Sequence, residues 1–183
     1  MTKNPKNQTM KKNVVAGLGE IGRPILKLLS KRNITIGFDL NPDLMDQRKF
    51  ERYKDLETSF LHIAIPVTAK FINNILKLEK KFNPECIVIH STIKPGTTKK
   101  LQERLSIPVI YSATRGVHRR MIYDLKRYTK FFTISKNAPR SKWASLEFVR
   151  SMKKCGIKTR KMSKPETLEL AKIICDTSYL GWL

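Results

Sequence analysis

An apolar run, Val14-Val15-Ala16, leads directly into Gly17-Leu18-Gly19-Glu20-Ile21-Gly22, after which Ile21, Ile25, Leu28 and Leu29 recur at helical spacing. Three glycines so placed between a strand and a helix demand a particular backbone. The first permits the tight turn out of the strand, the second lets the main chain come close to a pyrophosphate, and the third lets the helix pack against the sheet. The helix start then offers free N–H groups and the positive end of its dipole to phosphates. Pro24 falls in the first helical turn, where its missing N–H is harmless, and Lys31-Arg32 lie where cations suit the helix C-terminus. The segment reads as a dinucleotide-binding βα turn.

A second apolar run, Ile34-Thr35-Ile36-Gly37-Phe38, ends in Asp39, 17 residues beyond Gly22. That is close to the spacing of roughly 20 at which an acid at the tip of the second strand receives ribose hydroxyls. An acid there repels a 2′-phosphate, which argues for NAD over NADP. The competing reading makes Asp39-Leu40-Asn41-Pro42 an ordinary turn, with Asp39 capping the helix that follows.

Beyond this point apolar runs alternate with segments of helical period. Strands are expected at Leu61–Ile65, Cys86–His90, Ile107–Tyr111 and Phe131–Ile134, and helices over 70–82, from Pro95 through Leu105, over 141–154 and over 165–180. The pattern predicts an α/β fold, a Rossmann-like doubly wound, mainly parallel sheet of about six strands with helices on both faces. Residues 1–12 read as a basic polar tail, 13–163 as the Rossmann NAD-binding domain and 164–183 as a closing helix. The stretch 114–129 reads as one long irregular loop, a kind of segment that often carries function. In an open parallel sheet, ligands sit beyond the carboxyl ends of the strands. The glycine turn, Asp39, Pro66-Val67-Thr68, Ser91-Thr92 and Ser112 to Arg115 all fall there.

At 183 residues the chain suits one domain with a sizeable core. It has no apolar run near the roughly 18 residues needed to cross a bilayer, so no membrane partner is expected. Its polar, lysine-rich start lacks the apolar segment of a secretory signal. Cys86, Cys155 and Cys175 are isolated, without CxxC or metal-type spacing. They suit a cytoplasmic protein with reduced thiols and no metal site.

The net charge is +22, and 15 basic residues face only 2 acidic ones between Arg119 and Lys164. Two explanations stand side by side: a lysine-rich chain that charges every solvated face, or a positive surface for nucleic acid or another polyanion. The apolar ending Tyr179-Leu180-Gly181-Trp182-Leu183 suggests either self-association as a homodimer or a tail folded onto its own core.

Ser91-Thr92-Ile93-Lys94-Pro95-Gly96-Thr97-Thr98 resembles the end of the fourth strand in the NAD-binding domain of UDP-glucose/GDP-mannose dehydrogenases. The opening turn from Gly17 to Pro24, the segment His62–Val67, and Leu170-Ala171-Lys172 with Asp176-Thr177 are similar to that family as well. The resemblance spans most of the chain. It implies that Gly17, Gly19, Glu20, Ile21, Gly22, Asp39, Pro66, Ser91 and Thr92 surround NAD, with Thr92 near the nicotinamide and a nucleotide-sugar substrate. Lys172 matches a family lysine that stabilises negative charge developing on the substrate oxygen.

Three departures from the family stand out. Asp176 replaces an asparagine one helical turn after the lysine, and as an acid it is expected to pair with Lys172. Ser112-Ala113-Thr114-Arg115 replaces Ser-Pro-Glu-Arg, so a glutamate linked to acid/base work is missing; His118 just beyond is the candidate substitute. The family's cysteine nucleophile belongs to a C-terminal domain outside the stretch of resemblance, and none of the three cysteines here has the surroundings of an activated thiolate. Two function classes follow. One is an NAD-dependent oxidoreductase-like protein that acts with a separate catalytic-domain partner or performs a simpler single hydride transfer, a full four-electron oxidation not being expected of this chain alone without the thiolate. The other is a non-catalytic Rossmann module that uses its basic surface to bind nucleic acid or another polyanion.

Overall fold

The computed structural model describes residues 10–180, and at His118, Tyr179 and Leu180 it describes the backbone alone. Strand β1 (Lys12–Ala16) leads through α1 (Gly22–Leu29) to β2 (Thr35–Phe38). A 3-10 turn at Pro42–Leu44 and α2 (Gln47–Tyr53) connect to β3 (Thr58–Ile63), and α3 (Phe71–Phe82) to β4 (Cys86–Ile89). Then come α4 (Thr97–Gln102), β5 (Val109–Tyr111), a 3-10 turn at His118–Arg120, α5 (Met121–Arg127), β6 (Lys130–Ile134), α6 (Ser141–Lys154), β7 (Thr159–Lys161) and α7 (Pro165–Leu180).

The strands form one sheet in the order β2-β1-β3-β4-β5-β6-β7. Strands β1 to β5 pair in parallel, β6 runs antiparallel to β5, and β7 runs parallel to β6. Alternation along each strand sends side chains to two separate cores. Val15, Val88 and Ile110 pack with α1, α5 and α6. Val14, Ile87, Ile89 and Tyr111 pack with α3, α4 and Leu168 of α7. A parallel sheet buried on both faces explains why the strands read as unbroken apolar runs. The fold is the expected Rossmann-like α/β sandwich.

Several local expectations need correction. The sheet has seven strands, because β7, with Arg160 and Lys161 exposed, pairs in the backbone without any apolar pattern to announce it. The stretch 114–129 is ordered rather than one long loop. Met121 and Leu125, four residues apart, bury one face of α5, and the buried Asp124 accepts the Val117 N–H at 2.9 Å. Helix α4 ends at Gln102, short of Leu105. Asp39 caps no helix: the Asn41 side chain caps the 3-10 turn through the Asp43 N–H, and Asp46 caps α2 through the Lys49 N–H.

Candidate functional site

The chain leaves β1 for β2 on one side and reaches β3 on the other side of β1, by way of helices on opposite faces of the sheet. This reversal opens a crevice at the carboxyl ends of β1 and β3, where doubly wound sheets place ligands. The glycine turn lies in it. Gly17 has φ +90°, and a Cβ there would come within 2.6 Å of the Ala64 carbonyl oxygen. At Gly22 a Cβ would fall 1.7 Å from the Gly17 carbonyl oxygen. Both therefore answer to the packing of the turn on itself and on the segment after β3. Gly19 differs, because a Cβ there meets nothing within 4 Å. The fold makes no steric demand for glycine at this position, and the main chain of Gly19, exposed with Glu20 beside it, borders open space that suits the approach of a pyrophosphate. Ile21 precedes α1 as its N-cap residue.

Asp39 closes the same end of the sheet. Its Oδ2 accepts the Leu18 N–H at 2.7 Å and its Oδ1 the Asn41 N–H at 3.0 Å, so the carboxylate ties the tip of β2 to the glycine turn. Next to it lies a cavity of about 440 Å³ bordered by Gly17, Asp39, Pro66, Asn74, Lys77 and Lys81 among others. Its volume and position suit the adenosine end of a dinucleotide.

Across the crevice, Ser91 donates through Oγ to the Ile65 carbonyl at 2.7 Å, which locks the exit of β4 to that of β3. Thr92, exposed beside it, donates through Oγ1 to Asp176 Oδ2 at 3.2 Å. The Lys172 ammonium donates to the other oxygen, Asp176 Oδ1, and forms an ion pair with it. Thr92, 84 positions before Asp176, thus joins the Lys172–Asp176 pair in one hydrogen-bonded cluster at the carboxyl edge of the sheet. Among the described residues no cluster of His, Cys, Asp and Glu suits a metal ion. The side chain of His118 lies outside the described residues.

Sequence reasoning missed the residue that brings α7 to this edge. Glu169 is fully buried and accepts the N–H of Gly96 at 2.6 Å, the N–H of Thr98 at 2.9 Å and the Thr98 hydroxyl at 2.5 Å. The Pro-Gly-Thr-Thr segment thus serves as a socket for a carboxylate from α7. The available signal was the spacing of Glu169, Lys172 and Asp176 at i, i+3 and i+7, which places all three on one helical face.

A second unanticipated feature runs beneath the site. Lys130, buried at the start of β6, donates to the carbonyls of Ser112 at 2.9 Å and Ala113 at 3.2 Å and to Thr114 Oγ1 at 3.3 Å. Burial, helped by the nearby Lys172 charge, pulls its ammonium down to about 7. The Ser112 carbonyl also faces His90 Nδ1 at 3.1 Å, and His90 Nε2 lies 2.9 Å from His62 Nδ1. Because a carbonyl only accepts, His90 carries its proton on Nδ1 and His62 donates from its own Nδ1. Burial brings His62 down to about 3 and holds His90 well below the usual imidazole range. The buried Cys86 and Cys155 thiols are pushed up by desolvation, the reverse of nucleophile activation.

No family profile and no curated protein sequence matches the chain. Solved structures do match in fold. The UDP-D-ManNAc dehydrogenase of Pyrococcus horikoshii superposes with a TM-score of 0.71 at 18% identity, over 92% of this chain and 50% of that one. A UDP-glucose dehydrogenase of Pyrobaculum islandicum gives 0.70 at 16%, over 96% and 51%. A reductive aminase of Aspergillus terreus, in complex with NADPH4, cyclohexanone and allyl amine, gives 0.66 at 11%, over 96% and 62%. This chain spans about half the length of the UDP-sugar dehydrogenases it matches. It has the Rossmann-like fold of the portions of these enzymes it superposes on, and the UDP-sugar dehydrogenases among them agree with the resemblance carried by its glycine turn and its Ser-Thr-x-x-Pro-Gly-Thr-Thr segment.

Proposed function

We propose that this chain binds NAD in the crevice between β1 and β3 and works as the cofactor half of a nucleotide-sugar dehydrogenase, with the remainder of the catalytic site supplied by a partner chain or further domain. The observation that carries the reading is the open space at Gly19. Gly17 and Gly22 answer to packing, whereas a side chain at 19 would meet nothing of the fold, so glycine there leaves the backbone open to a ligand. In this reading Gly17 to Gly22 hold the pyrophosphate, Asp39 and Pro66 border the adenosine, and Ser91 and Thr92 border the nicotinamide. NAD supplies the hydride acceptor. Thr92 and Lys172 then orient the substrate hydroxyl and stabilise the charge that develops on its oxygen. Three cysteines without a disulfide support a cytoplasmic location in this reading; among the described residues no helix is long and apolar enough to cross a membrane.

The test is calorimetric titration of the purified chain with NAD at moderate salt, alongside the Gly19→Ala variant. Saturable binding that the variant weakens supports the reading, and absence of binding to the wild-type chain removes it. One observation favours the second reading, a binding module without chemistry. Lys172 is already paired with Asp176, which lessens its use as an electrophile. If NAD does not bind, the basic stretch from 119 to 164 becomes the leading feature, and salt-dependent binding of nucleic acid is the measurement that follows.

A further inference from the structure

The adenosine cavity carries more positive charge than an NAD site needs. Lys77 and Lys81 both border it together with Asp39. They are four residues apart on α3, so their side chains leave one face of the helix. Lys81 is also held in place, since its ammonium lies 4.3 Å from the centre of the Phe38 ring, the residue immediately before Asp39. Asp39, for its part, already has a structural duty. Each of its oxygens takes a backbone N–H, from Leu18 and from Asn41, and these donors offset part of its charge. Each oxygen keeps a lone pair that a ribose hydroxyl can use, but the two ammonium groups outnumber the single acid at the cavity.

We propose that this cavity admits a phosphate on the adenosine ribose, so that the chain binds NADP as well as NAD, with Lys77 and Lys81 contacting the 2′-phosphate. The inference rests on the dinucleotide reading above and extends it to the choice of cofactor. A lone carboxylate facing a 2′-phosphate repels it; two ammonium groups bordering the same cavity reverse the local sign and supply charge-assisted donors that NAD does not use.

The experiment titrates the whole chain with NAD and with NADP at low and moderate salt, and repeats both with the Lys77→Gln/Lys81→Gln double variant. NADP is expected to bind within about tenfold of NAD and to lose affinity faster as salt rises. The double variant is expected to shift the NADP-to-NAD affinity ratio toward NAD by about 30-fold, the order expected for losing charge-assisted contacts. NAD binding with NADP more than about 100-fold weaker overturns the inference while leaving the dinucleotide reading intact. An unchanged ratio in the double variant overturns it too. Binding of neither cofactor removes the dinucleotide reading itself, and this inference with it. Because both lysines are solvent-exposed on α3, glutamine at these positions keeps the helix and the fold.

Discussion

Thr98 meets the Glu169 carboxylate twice, through its N–H at 2.9 Å and its hydroxyl at 2.5 Å, both directed at the same oxygen. Gly96 supplies a third donor to the other oxygen. Through this contact the last helix, which carries Lys172 and Asp176, is pinned to the segment after β4, which carries Thr92.

Removing the acceptor leaves buried donors unpaired, which costs more than the bonds themselves contribute. Glu169→Ala is expected to destabilise the chain by about 3 kcal/mol, and Thr98→Val by about 1 to 2 kcal/mol. Denaturant unfolding measures both. A loss below 0.5 kcal/mol for Glu169→Ala would mean that α7 is held by its apolar contacts alone.

The glycines separate fold from ligand binding. Gly22→Ala places a methyl group 1.7 Å from the Gly17 carbonyl oxygen and forces backbone atoms apart, so a loss of more than about 3 kcal/mol is expected. Gly19→Ala meets open space and leaves the thermal midpoint unchanged or slightly raised. Under the proposed function the same variant weakens NAD by about tenfold or more, because its methyl group stands where the pyrophosphate approaches. Paired melting and titration curves check this divergence.

Acid should destabilise the chain through the buried histidine pair. His62 is held at about 3 in the folded state against 6.5 when free, so below pH 6.5 the unfolded chain takes up a proton that the folded chain refuses. Stability is therefore full above about pH 6.5 and falls as pH drops toward 3, by at most about 5 kcal/mol from this residue. Unfolding free energies measured from pH 7 down to pH 4 for wild type and His62→Phe test it. The variant's curve should be flatter.

Lys130 has the same sign in a higher window. Its ammonium titrates at about 7 when folded and 10.5 when free, so between these values the unfolded chain holds the extra proton and stability rises with pH. Lys130→Met removes that rise. It also frees the carbonyls of Ser112 and Ala113, a loss of about 2 kcal/mol expected in full when the same unfolding experiment is run near pH 10.5, where the wild type has recovered the stability its proton linkage withholds at pH 7.

The sequence by itself determined the first βα turn, the apolar strands and the two-faced helical cover. Those features depend on glycines at fixed offsets and on periodicity, which are local properties of the chain. It also anticipated the pairing of Lys172 with Asp176, one helical turn apart on α7. The tertiary structure alone decided the rest. Strand β7 pairs through its backbone and buries too little to leave an apolar pattern, while α5 is set by packing of Met121 and Leu125 against distant strands. The Glu169 socket joins residues more than 70 positions apart, and the buried line from His62 through Ser112 to Lys130 crosses four strands. Polar groups buried this way are satisfied by whatever the fold brings beside them, and that neighbourhood is written in no single stretch of sequence.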